Sequence, residues 1–136
     1  MSTPAPVGSV DIEVALIGWL AARNPDATVR DDLDNDLADE LPTIQVTRVG
    51  GDDDGFRLDR ALVDIDVYAA TRGQAAELAA LVRGQLLTDL SGTATDTAVF
   101  GRITTTAAPS WRPYENTAVR RYGATYEVFS HPRTVS

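Results

Sequence analysis

The chain has no cysteine and no lysine, one histidine and one methionine. It also has no apolar run near the ~20 residues that a membrane-spanning helix needs. Without cysteine there are no disulfides, no thiolate zinc sites and no cysteine nucleophile. The single histidine, His131, precedes Pro132 close to the end of the sequence, with nothing nearby to hold its ring as a general base. The G-x-S-x-G, G-x-x-x-x-G-K-[ST], G-x-G-x-x-G and H-E-x-x-H patterns are all missing. The opening residues MSTPAPVG carry neither the basic nor the apolar region of a signal peptide. These absences lead to the expectation of a protein that is not an enzyme, with no catalytic residues, no metal site and no cofactor.

What is present is an ordinary globular composition. The 136 residues are 43% apolar and 24% charged, enough for one soluble domain. The net charge of −8 disfavours a grip on nucleic acid or an anionic membrane. All twelve basic residues are Arg, for which the base composition of the coding genome is sufficient explanation. Charge is unevenly spread: residues 1–90 hold seven Arg against seventeen acids, and residues 91–136 hold five Arg against three. Opposite signs on the two portions would suit head-to-tail association with copies of the same chain; chance scatter of surface charge would look the same.

Two acidic runs invite comparison with calcium loops. Asp32, Asp34 and Asp36 match the opening ligand positions of an EF-hand loop, but Leu37 stands where glycine is needed and Thr43 where a bidentate Glu closes the site. Asp52, Asp53 and Asp54 are consecutive, so their side chains diverge, and a solvated hairpin tip is the better reading.

Periodicity predicts an α+β domain over residues 9–130, with an extended arm at 1–8 and a C-terminal tail at 131–136. Ser9 is a reasonable cap for a helix from Val10 to Ala22, closed by Pro25. Its apolar residues, including Ile12, Leu16 and Trp19, fill an arc of roughly 220°, twice what a one-sided surface helix requires. The surplus implies cover by a neighbouring subunit or by a long loop of the same chain. Strands are expected at 44–49 and 57–69, joined by a loop at 50–57; in the second, Val63, Ile65 and Val67 face inward, and Asp64 and Asp66 outward. Thr71 and Gln74 form a capping box for a helix to about Leu90, with Ala75, Leu78, Leu81, Val82, Leu86 and Leu90 inward. Further strands follow at 99–107 and 119–129, with a connector at 109–116. The order α-β-β-α-β-β predicts a four-stranded, largely antiparallel sheet with two helices packed on one face. Arg120 and Arg121 with Tyr122 and Tyr126 make a small basic and aromatic patch, better suited to acids of another chain than to phosphate.

Three stretches carry a family resemblance. They are Leu41-Pro42 followed by Thr43–Gly51, the alternating Leu58–Ala69 segment with Arg72 and its Ala/Leu helix, and the closing Arg120–Val128 strand. Together they resemble the tail terminator (tail completion) proteins of long-tailed bacteriophages over about residues 10–130. Other small α+β neck proteins, the head-closure and connector proteins, are the neighbouring alternative. The resemblance implies a homo-hexameric ring at the head-proximal end of the tail tube, in the neck of the virion, assembled in the bacterial host cytoplasm. Such a ring stops polymerisation of the major tail tube protein and offers a docking face to the head completion, or stopper, protein, with the tape measure protein as a further contact. Genome DNA passes through its channel without specific binding, and no membrane is involved. On this basis the subunit interface is expected at Ile12, Leu16, Trp19, Arg102, Arg120 and Arg121. The channel wall is expected at Asp64 and Asp66, for which a plain solvent-facing strand is the alternative. Contacts with tube or connector are expected at Asp52, Asp53, Asp54, Phe56, Trp111, Arg112 and Tyr114.

Overall fold

The computed structural model describes residues 10–33, 36–53 and 58–133. The expected arm at 1–8, the Ser9 cap, Asp34, Asp54, Phe56 and the tail residues 134–136 lie outside the described residues.

Helix α1 spans Ile12–Arg23. Its cap is Asp11, whose carboxylate accepts the Val14 N–H at 3.2 Å and so satisfies a backbone donor with no partner inside the helix. The helix ends at Asn24, just before Pro25. Strand β1, Thr28–Arg30, follows at once. A crossover containing a 3₁₀ turn at Leu37–Asp39 leads to β2, Thr43–Asp53, which forms a long hairpin with β3, Asp59–Ala69. Helix α2, Arg72–Gly84, starts where the Thr71 hydroxyl accepts the Gln74 N–H at 3.2 Å. It continues as a π-helical turn, Gln85–Leu90, and stops before Gly92, whose φ of +79° is a left-handed conformation suited to glycine. Strands β4, Ala98–Arg112, and β5, Arg120–Pro132, complete the chain.

The sheet has five strands in the order β1-β2-β3-β5-β4. This corrects the four-stranded expectation. The added strand, β1, is three residues long and pairs in parallel with β2, whereas the other three pairings are antiparallel. Beyond β1, the outer edge of β2 has no strand partner from Val46 onward among the described residues. One row of partners crosses the whole sheet: Val29 with Ile44, Ile44 with Val67, Val67 with Tyr122, and Tyr122 with Trp111.

Both helices pack on the same face. Ile12, Leu16 and Leu20 of α1 join Ala79, Val82, Leu86 and Leu90 of α2 in one core with Val46, Val63, Ile65, Tyr126 and Val128. The buried positions of α2 and its π turn are 75, 79, 82, 86 and 90, so Leu81 falls off the stripe and is 54% exposed, against expectation. It borders a groove of about 480 Å³ that Leu41, Pro42, Ala69 and Leu78 also line.

Two boundaries differ from expectation because edge pairing extends the strands. β4 runs through Pro109 to Arg112, since an edge strand can carry a residue without an N–H on its free side. β5 includes His131 and Pro132, the first residues of the expected tail.

Candidate functional site

Opposite the helices lies the second face of the sheet, bearing Asp64 and Asp66 as alternation requires. They do not form a bare acidic wall. Asp64 accepts a hydrogen bond from the Thr125 hydroxyl across the β3–β5 ladder. Arg112, expected in a connecting loop, reaches back from β4 and donates to Asp66 at 3.3 Å, with Asp64 at 4.0 Å. The guanidinium covers Asp66, leaving that residue 9% exposed. Burial raises the Asp66 carboxyl above the usual aspartate range, while Arg112 and Arg121 draw it down and Asp64 pushes it up.

Gly123 makes this arrangement possible. It faces Asp66 across the ladder, and a Cβ there would stand 2.2 Å from Asp66 Oδ1 and 2.6 Å from Arg112 Nη1. Further along the same face, Arg60 donates to Asp52 at 3.0 Å and to Glu127 at 2.8 Å, tying β2, β3 and β5 together. Hydrogen bonds to Asp52 and then Glu127 raise the Arg60 pKa. Asp52 and Asp53 thus belong to β2 instead of a free loop, and consecutive strand positions keep them on opposite faces.

The other end of this face is closed. Tyr68, buried on β3, meets Tyr114 edge-on with ring centres 5.3 Å apart. Leu37 from the crossover and Val119 from the β4–β5 connection join them in a second small core. Tyr114 is therefore packed rather than projecting. Arg121 lies over its ring at 5.4 Å and donates to the Pro113 carbonyl at 2.9 Å. Burial raises the Tyr68 hydroxyl pKa, while its hydrogen bond with Arg121 lowers it.

On the helix face the expected interface residues separate. Ile12 and Leu16 are core, 2% and 0% exposed, because α1 turns them onto the sheet. Trp19 is half-buried with Arg23 stacked on it at 4.6 Å. The surplus of the apolar arc is Val14, left 65% exposed by the described residues. Arg102, Arg120 and Arg121 do not converge either. Arg102 is exposed near the start of β4. Arg120 and Arg121, adjacent in β5, project from opposite faces. Arg120 stacks over Trp111 at 5.8 Å, Trp111 meets Tyr122 at 6.2 Å, and Arg72 Nε donates to the Tyr122 hydroxyl at 3.2 Å. This half-exposed aromatic and arginine patch replaces the expected one, since Tyr126 is 1% exposed in the core, with its hydroxyl pKa pushed up to about 12 by burial.

Two polar features of this face escaped the sequence. Asp59, 2% exposed, accepts both arms of Arg48 at 2.7 and 2.8 Å. Glu13 of α1 accepts the Arg48 backbone N–H at 2.7 Å, where β2 has a register shift and, among the described residues, no outer strand. No group of three or more carboxylate or imidazole ligands that could hold a metal occurs among the described residues. No described helix is long and apolar enough to cross a membrane. His131 Nδ1 lies 3.0 Å from the Pro132 carbonyl oxygen.

Fold and surfaces together define a small α+β domain with one face sealed by helices and the other laced by arginine–carboxylate pairs. The chain belongs to the phage tail termination proteins: the model of that family matches residues 8–109, from ahead of α1 into β4. It is therefore a component of the virion tail. A comparison with curated proteins finds no match.

Proposed function

We propose that this tail termination protein forms a hexameric ring on the head-proximal end of the tail tube. There it stops the tube protein from adding further and presents a docking face for the head completion protein. Membership of the termination family is the observation that carries this reading. The surfaces support a role by shape rather than by bond chemistry: on the open face Arg60 and Arg112 are already engaged by carboxylates, and Arg121 is engaged by the Pro113 carbonyl and the Tyr114 ring. A passing phosphate would have to displace those carboxylates to bind, which suits a channel that DNA traverses without sticking.

The test is a phage lacking this gene, with the protein supplied back. Overlong tails in its absence, and a ring between tube and neck in the complemented virion, are the expected results. Tails of normal length on unfilled or leaking heads would instead assign the protein to head closure.

A further inference from the structure

The two lateral edges of the sheet carry opposite charge at the same height. On one edge Asp26 and Asp31 flank the three-residue β1. Both are exposed, and among the described residues their carboxylates meet no arginine. At the other edge, the end of β4 presents Trp111, with Arg120 stacked on it and Arg72 held by Tyr122. Neither arginine contacts a carboxylate among the described residues, as is also true of Arg83, Arg102, Arg121 and Arg133.

The register fixes their relative height. Thr28 shares a row with Thr43, Tyr68, Arg121 and Arg112, and Arg30 shares one with Gln45, Asp66, Gly123 and Ser110. So Thr28–Arg30 lies level with Ser110–Arg112, four strands away on the opposite edge. Following the pairings across the sheet, β1 and β4 run in opposite directions. The register shifts in β4 all lie before Ser110, so Ser110–Arg112 is regular.

We infer that these edges dock on each other between copies of this chain, the Asp26/Asp31 edge of one against the Arg72/Trp111/Arg120 edge of the next. A head-to-tail contact generates either a ring or a rising helix, and a contact between patches at equal height adds no rise along the strands. Opposite charge then aligns the copies and rejects the reversed pairing. This rests on the ring proposed above and names its contact.

Charge exchange tests it. Asp26→Arg/Asp31→Arg gives two basic edges, and Arg72→Glu/Arg120→Glu gives two acidic ones. Rings are counted by native mass spectrometry of the free protein and by imaging on tail tubes from the gene-deleted phage. Each double variant alone should lose rings by more than about tenfold, because every contact then opposes like charges. An equal mixture should restore them with the two variants alternating, since every contact again joins opposite charges. Normal rings from either variant alone, or no rescue on mixing, overturn the edge assignment while leaving the ring. A wild type that forms no ring, free or on tubes, removes the ring and the contact together. As Arg120 also supports Trp111, a second measurement guards against misfolding. The chain has no native cysteine, so Asp31→Cys/Arg72→Cys with a short bis-maleimide should give a ladder of cross-linked subunits from assembled rings. Absence of the ladder from assembled rings overturns the inference.

Discussion

Gly123 shows how one missing side chain organises a surface. Its bare Cα lets Arg112 lie across β5 and reach Asp66, and any Cβ there collides with both partners. Gly123→Ala is expected to cost roughly 1–3 kcal/mol, in line with overpacking of a filled site. Gly101→Ala serves as the control, because its Cβ would meet Phe129 Cβ at an ordinary 3.4 Å. Urea melts of the two variants check this, and equal losses would refute the role given to Gly123. Asp66 gives a second, pH-dependent expectation. Burial raises its folded carboxyl above the ordinary 3.8, so between 3.8 and that raised value the folded chain binds more protons than the unfolded one. The stability contributed by this group is therefore full below 3.8, falls as pH rises through the window, and is flat above it. Relative to Asp66→Asn, the wild type should gain stability as pH drops from 7 toward 4, measured by chemical denaturation at several pH values. A constant difference would show that Arg112 and Arg121 cancel the effect of burial, and one that moves the other way that they outweigh it.

Local signals and long-range pairings read differently in the sequence. Helix α2 was legible because Thr71 and Gln74 mark its start and its apolar positions repeat at helical spacing. Thr71→Ala is expected to cost about 1 kcal/mol, read as a lower thermal midpoint without loss of helix content at room temperature. The β2–β3 hairpin was legible from the alternation of Val63, Ile65 and Val67 with Asp64 and Asp66. Strand β1 was not, because three residues between acidic stretches carry no period, and their pairing with β2 depends on a crossover. The same limit hid the site. Nothing near Arg112 in sequence points to Asp66, 46 positions away, and nothing near Arg48 marks Asp59 as a buried partner rather than a surface acid. Ile12 and Leu16 show the converse: the wide apolar arc could not say which of its residues face the sheet and which, like Val14, face outward.

For the whole molecule, charge is arranged by position in the sheet as well as by position in the chain. Beside β1, Asp26 and Asp31 meet no arginine among the described residues, and at the far end of β4 Arg72 and Arg120 meet no carboxylate. If such contacts align the proposed ring, salt should loosen it. Rings are expected to dissociate progressively between low ionic strength and about 1 M salt, where the screening length falls to roughly 3 Å. Light scattering would follow the loss, and indifference to salt would mean that packing alone holds the copies together.

Because β1 covers only the first rows of β2, the sheet has a step cut into one side. Central β3 and β5 have both margins bonded, so their amide deuterium uptake should be the slowest, whereas the uncovered amides along Thr47–Asp53 should label early, apart from Arg48, shielded by Glu13. On ring closure through the edges named above, new protection should appear at Thr28–Arg30 and Ser110–Arg112, while the notch along upper β2 stays open to solvent.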